Sequence, residues 1–364
     1  MCLNRPKKKI GTFKTGFITV RKSTNKSKYE FINLYYTKWN DITKPSPRVI
    51  IDTHAGTGQV VLIKESPLLR TIETEINYGS PMLAILKTLL ISNNLVIILN
   101  EASKKNYLLL EKCMKAIKRR GLPVFEEIQE RVRFRSLKTN RPNLQRRKKK
   151  LKFPNSFNSK TPRGFQRVWI KSKADILLNR NKIEDSIDDI FSEYINIIDK
   201  RTNKMPKGLF LVDPCGMVSW NKVILKICER SNKLEGTELI LNWSWEVIAR
   251  TINTISKNST LSEIYGIPLE NIDKEFQGLD IENMEEFKNI YIKQLEEYFK
   301  HVVEVGVPKD RRLRPKLSPY RKYFLIFCTN NKSALSLARY QLKKIEKNVR
   351  GNIRKINYYF QDNL

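Results

Sequence analysis

Three carboxylates stand directly at the ends of short apolar runs: Asp52 in "PRVIIDTH", Glu101 in "LVIILNE" and Asp213 in "GLFLVDPCG". Each run has the length and composition of a strand buried on both faces of a parallel sheet. In doubly wound sheets, ligands bind beyond the carboxyl ends of the strands, so the three acids mark one candidate rim. Asp52 leads into "THAGTG", where Gly56 and Gly58 allow tight turning and close backbone approach to a ligand. A phosphate-cradling loop needs GxxxxGK[ST], which is absent, and a dinucleotide turn needs a third glycine where Val61 stands.

An acid ahead of the glycines suits a cationic ligand better than a pyrophosphate. S-adenosylmethionine has an α-ammonium, a sulfonium and a ribose diol and no phosphate, which favours it over NAD. Ser80 is a good N-cap and Pro81 fits the first helical position, so the helix after the turn starts there. Glu101 follows 21 residues later, the usual distance to an acid that bonds a ribose diol. Residues 59–79 then read as an insertion between turn and helix.

Asp213-Pro214-Cys215-Gly216 suits the acceptor side. The exocyclic amine of a base is a poor nucleophile because its lone pair is delocalised into the ring. A carboxylate that accepts its N–H bonds localises that lone pair and orients it toward a donor methyl. Asp213 can supply this, with Pro214 fixing the turn. The plain alternative is that Asp, Pro and Gly simply end a strand. Cys215 has no His or Lys beside it to activate a thiolate, which argues against a covalent pyrimidine mechanism.

The chain has 364 residues, and 69 Lys+Arg against 37 Asp+Glu give a formal charge of +32. Such an excess attracts polyanions, above all nucleic-acid phosphates. Residues 131–173 concentrate it, with sixteen Lys/Arg and no Asp/Glu. Arg146, Arg147, Lys148, Lys149, Lys150, Arg163 and Arg167 are the candidate phosphate contacts. Interleaved Phe134, Phe153, Phe157, Phe165 and Trp169 suit base stacking, which favours RNA over DNA. The alternative is that these rings pin the segment to the body. Five scattered cysteines without a CxxC pair argue for reduced thiols in a cytosol-like compartment. With only His54 and His301, far apart, no metal site is expected. No apolar run reaches the ~20 residues of a transmembrane helix, and no secretory signal is expected at the basic N-terminus.

Strands alternating with helices imply an α/β fold with a doubly wound, mostly parallel sheet. The expected organisation is a basic arm (1–28) and the first half of the domain (29–130). A basic, partly disordered insertion (131–166) precedes the second half (167–256). A helical insertion (257–318) and closing strand and helix elements (319–364) follow. "KYEFINLYYTKWNDI" reads as an amphipathic helix with Phe31, Leu34, Tyr35, Trp39 and Ile42 at helical spacing, and "RKINYYFQ" as a last strand.

Taken together, "KYEFINLYYTKW", "VIIDTHAGTG", "YGSPMLAIL", "LFLVDPCG", "ELILNWSWEVIART" and "YFLIFCTNN" resemble the three-Cys-motif partner protein family. That family is a branch of the S-adenosylmethionine-dependent methyltransferase-like folds. The likeness covers roughly residues 28–110, 205–255 and 320–340. "DTHAGTG" also resembles ribosomal-RNA amino-methyltransferases, with His54 in place of the first glycine. The resemblance implies a class I methyltransferase-like Rossmann fold. It implies that Asp52, His54, Gly56 and Gly58 line the methionine side of the donor, Glu101 the ribose and Asp175 the adenine edge. Asp213 and Pro214 then face the acceptor, and a three-Cys-motif protein becomes a candidate partner. Where the Asp-Pro-Pro-Tyr enzymes place a stacking aromatic, this chain has Gly216; Trp220, Trp243 and Trp245 are the candidates to replace it. The expected activity is methyl transfer from S-adenosylmethionine to a base nitrogen of nucleic acid in the cytoplasm. The rival reading is a fold that has lost catalysis and binds RNA as a scaffold.

Overall fold

Runs rich in Val, Ile and Leu with no polar alternation are stable in the middle of a sheet covered on both faces. The computed structural model describes residues 18–22, 26–43, 45–57, 59–66, 71–78, 80–81, 84, 95–120, 165–169, 174–202, 206–214, 216–233, 236–252, 254, 257–279, 283–308 and 321–343. Its main sheet has eight strands. In spatial order they are β10 (His301–Pro308), β11 (Arg321–Thr329), β9 (Thr237–Trp243), β8 (Lys207–Val212), β2 (Arg48–Asp52), β5 (Leu95–Asn100), β7 (Ala174–Asn179) and β6 (Phe165–Trp169). The five strands β2, β5, β7, β8 and β9 are parallel. β6 and β11 run antiparallel to their neighbours.

This is a class I methyltransferase-like Rossmann fold. From β2 in the middle, β5 and β7 step outward on one side and β8 and β9 on the other. The reversal lies between β2 and β8, which register Asp52 against Leu211. A second, three-stranded sheet of β1 (Ile18–Lys22), β3 (Gln59–Ser66) and β4 (Thr71–Tyr78) occupies the stretch after the glycine turn. There β3 and β4 form an antiparallel hairpin, and β1 pairs parallel with β3.

Alternate residues of the central strands feed two cores, one on each face. Ile50, Ile97, Leu209 and Ile240 face α1 (Lys26–Thr43), α2 (Lys104–Arg120) and α9 (residues 332–343). α1 buries Phe31, Ile32, Tyr35, Tyr36 and Trp39 along one stripe, while Ile42 is exposed. Pro45 and Pro47 follow its last turn and prevent continuation. Val49, Ile51, Val96, Ile98, Phe210 and Val212 face the other layer. That layer comprises α3 (Ile183–Thr202), a π-helical turn (Trp220–Ile224) running into α4 (Leu225–Lys233), and α5 (Trp245–Ile252). It continues through α6 (Lys257–Tyr265), α7 (Leu269–Glu275) and α8 (Met284–Glu296).

The stretch 257–318, expected as a helical insertion, is only partly helical: it contributes β10 to the main sheet. The β-branched run "HVVEVGVP" explains the strand. Its helices share one core with the sheet rather than forming their own, through Leu261, Ile264, Ile272 and Phe287. Lys288 of α8 ties to Glu304 of β10 and bonds Glu285 at 2.7 Å. The segment 1–17, residues 121–164 with most of the basic insertion (131–166), and the expected last strand "RKINYYFQ" lie outside the described residues. Among the described residues, no helix is long and apolar enough to cross a membrane.

Gly266, in the loop after α6, has φ +67°, and a Cβ there would stand 2.2 Å from Cδ1 of Trp220. Gly266→Ala should therefore destabilise the fold by ~2–4 kcal/mol through backbone strain and overpacking. Urea unfolding measures it; an unchanged midpoint would show that Trp220 is not packed there.

Candidate active site

Asp52 is the last paired residue of β2, and Glu101 and Asp213 directly follow β5 and β8, at the reversal point of the sheet. The turn after Asp52 is held from both sides. On the β8 side, the Thr53 amide donates to the Leu211 carbonyl at 3.0 Å. On the β5 side, the Ala55 amide donates to the Asn100 carbonyl at 2.8 Å, and Asn100 Nδ2 donates to the Thr53 carbonyl at 3.0 Å. Asn179 Nδ2 in turn donates to Asn100 Oδ1 at 2.7 Å, and the Glu101 amide to the Asn179 carbonyl at 3.0 Å. Two strand-final asparagines, paired in register, thus link three strand ends.

Glu101 closes the turn. Its Oε2 accepts the Gly56 N–H at 2.8 Å and its Oε1 accepts the Ser103 N–H at 2.8 Å. Gly56 adopts φ 63°, and a Cβ built on it would meet nothing within 4 Å among the described residues, so the turn opens onto space between them.

Asp52 is fully buried, and its Oδ1 accepts the His54 amide at 3.2 Å. Its Oδ2 has no hydrogen-bond partner among the described residues. Burial pushes its carboxyl up to about 7; the nearby Ser80 hydroxyl and the His54 amide pull it down, while Asp213 and Glu101 add to the rise. His54 is half-buried, with Nδ1 2.8 Å from Thr53 Oγ1. Desolvation drives its ring down to about 4 against the pull of Asp213, so it is neutral at pH 7.

Asp213 is held by two donors. Lys28 Nζ of α1 lies 2.7 Å from Oδ2, and Asn242 Nδ2 of β9 donates to Oδ1 at 2.8 Å. Pro214 beside it is buried. At Gly216 a Cβ would meet nothing within 4 Å, so there is open space here too. Tyr36 of α1 is buried with no hydrogen-bond partner for its hydroxyl among the described residues; burial raises its pKa, and Asp52 and Asp213 add to the rise. Asn242 Oδ1 is likewise buried and unpaired. Buried polar atoms left unsatisfied are rare in native structures and often mark a ligand or water site.

Several expected residues stand elsewhere. Asp175 is the second residue of β7, paired with Val96, and Asn179 occupies the carboxyl end. Four residues of strand span roughly 13 Å, so Asp175 belongs to the opposite edge of the sheet. The expectation of an adenine-edge acid there is corrected. The three tryptophans are also corrected as base-stacking candidates, because they are core: Trp243 is 0%, Trp245 3% and Trp220 5% exposed. Trp243 stacks on Trp245, and Trp220 meets Tyr291 edge-on, which uses the ring faces inside the protein. Gly58, Cys215, Arg146, Arg147, Lys148, Lys149, Lys150 and Arg163 lie outside the described residues, and Arg167 is placed in β6 by its backbone.

Lys28, Tyr36, Asn100, Asn179 and Asn242 were not singled out from sequence. For the asparagines a signal existed: "LVIILN", "ADILLN" and "LILN" all bring an apolar strand to Asn. Lys28 gave none, since it heads a helix otherwise read as amphipathic.

No protein-family model and no curated protein matches the chain. Among solved structures, a Legionella pneumophila protein of the DUF519 family is similar at 11% identity and TM-score 0.45, over 88% of this chain and 91% of that one. Trm1 from Pyrococcus horikoshii, solved with S-adenosyl-L-methionine, is similar at 11% identity and TM-score 0.36, over 85% of this chain and 58% of that one. The plantazolicin methyltransferase BamL, solved with a triazolic desmethyl analogue and SAH, is similar at 10% identity and TM-score 0.33, over 85% and 86%. At these values the likeness carries nothing about chemistry.

Asp52 is neutral in the folded protein up to about pH 7, whereas in the unfolded chain it ionises from the ordinary 3.8. Its contribution to stability therefore falls as pH rises between those values. Asp52→Asn should stabilise the ligand-free protein at pH 8 by ~1–3 kcal/mol, with no gain below about pH 3. Thermal unfolding across pH measures the difference; a variant less stable at pH 8 would contradict the assigned burial.

Proposed function

We propose that this chain is an S-adenosylmethionine-dependent methyltransferase that modifies a base nitrogen of nucleic acid, RNA in preference to DNA, in the cytoplasm. The observation that carries the reading is the meeting of Asp52, Glu101 and Asp213 beside two glycines that open onto free space. The residues present fit the donor. Among the described residues, Asp52 Oδ2 is buried without a hydrogen-bond partner, which suits a cationic group. Gly56 leaves room for close approach. Glu101 already accepts two backbone amides, yet each carboxylate oxygen can take a second hydrogen bond, so ribose hydroxyls remain possible partners.

When bound, the donor supplies a methyl carbon to the incoming nitrogen. Asp213 accepts an N–H of the acceptor amine and concentrates its lone pair on nitrogen. Pro214 shapes the turn, and His54, neutral at pH 7, adds no charge to repel a cation. The +32 charge supports a polyanionic substrate, bound through phosphates by the arginines and lysines of the basic insertion. Membership of the three-Cys-motif partner family, with a cysteine-motif protein as partner, is part of the same proposal and rests on the motifs quoted above.

A second reading, a scaffold without catalysis, is favoured by one observation. Glu101 and Asp213 both have protein donors on both oxygens. Calorimetry with S-adenosylmethionine separates the two readings. The enzyme should bind with a measurable heat, Glu101→Ala should weaken that binding about tenfold or more, and Asp213→Ala should leave it within about threefold. Mass spectrometry of nucleosides from cellular RNA should show one methylated base that disappears with the gene or with Asp213→Ala. Absence of donor binding, with RNA binding that weakens steeply in salt, establishes the scaffold.

A further inference from the structure

We propose that Lys28 and Asn242 are positioning residues that keep Asp213 ionised and aimed at the acceptor amine. The inference deepens the reading above and rests on Asp213 as the acceptor-side carboxylate.

The geometry is a clamp from two elements. Lys28 Nζ reaches Oδ2 at 2.7 Å from the first turn of α1, and Asn242 Nδ2 reaches Oδ1 at 2.8 Å from β9. The ion pair is shielded, with 4% and 11% of the two side chains exposed. The partners are 185 residues apart in sequence, so only the fold brings them together. One donor on each oxygen fixes both the position and the plane of the carboxylate. A carboxylate offers about four acceptor positions, so these two donors orient Asp213 without by themselves closing it to an N–H donor.

The charge matters as much as the geometry. Among the described residues, the titratable groups that face Asp213 include Lys28 and Tyr36 from α1, Asp52 and His54 from the β2 turn, and Tyr323 from β11; Asn242 from β9 is neutral. Of these, Lys28 carries a positive charge. A carboxylate near Asp52 in a desolvated rim takes up a proton readily. A protonated Asp213 would offer the amine a donor in place of an acceptor. Lys28 counters that, and it does so from the helix that follows the basic N-terminal arm.

The test uses the full-length, ligand-free protein with 13C-labelled aspartate carboxyls, the Asp213 signal being identified by its loss in Asp213→Asn. Lys28→Met should raise the pH at which Asp213 takes up its proton by about one unit or more, and Lys28→Arg should return most of the shift. Asn242→Asp, which replaces the neutral donor with another carboxylate, should raise the same midpoint and serves if Lys28→Met does not fold. An Asp213 titration unmoved in these variants overturns the proposal. In parallel, Lys28→Met should lower kcat on RNA about tenfold and move the acid limb of its pH profile upward, with donor affinity within about threefold and recovery in Lys28→Arg. If the titration shifts as expected while the wild type transfers no methyl group, the clamp stands and the methyltransferase reading falls. If the wild type transfers methyl and the titration is unmoved, the clamp alone falls.

Discussion

Carboxyl groups brought together away from water repel one another once ionised and lose their hydration, and the rim of this sheet brings together three. Glu101 is compensated by two backbone amides, those of Gly56 and Ser103. Asp213 is compensated by an ammonium and an amide. Asp52 has the least: the His54 backbone amide and the nearby Ser80 hydroxyl against full burial, which pushes its carboxyl up to about 7. The uneven compensation orders the site. The group with the weakest protein partners lies deepest and suits a ligand that brings its own positive charge.

That arrangement stays in place because the strand ends are bonded to each other as well as to their sheet neighbours. The chain of Asn179, Asn100 and Thr53 runs across three strand ends through side-chain amides and carbonyls. The Thr53 amide carries it on to the Leu211 carbonyl of β8. A buried amide that satisfies two or three partners fixes its neighbours in a low-dielectric setting far better than an exposed one. The glycine turn is therefore supported by a framework in which polar groups replace loose loop contacts. Sites set on such frameworks hold their geometry better than sites on free loops.

The far layer explains why the tryptophans are not available for recognition. Trp220, Trp243 and Trp245 join Phe276, Phe287, Tyr265 and Tyr291 in one aromatic cluster under α6–α8. Large rings bury much apolar area, and a nearby helical layer gave them somewhere to go. What remains beside Asp213 is the open space at Gly216, where amino-methyltransferases of the Asp-Pro-Pro-Tyr type would carry a ring.

Much of the molecule was legible in residue order. The apolar runs ending in Asp52, Glu101 and Asp213 became adjacent parallel strands because segments apolar throughout need cover on both faces, and alternating helices provide it. The acids and Gly56 met at one rim because strand ends in such a sheet share an edge. What residue order could not settle were contacts between distant segments. Lys28 and Asp213 are 185 positions apart, and the burial of Trp243 depends on helices that come later in the chain. Asp175 was misplaced because a strand was read before it, whereas it stands near the start of β7, about 13 Å of strand from the carboxyl end. Periodicity and turn chemistry are local properties, so the sequence by itself determined strands, turns and the shared rim. Ionisation, burial and hydrogen-bond partnership depend on everything that packs around a group, and those only the tertiary structure decided.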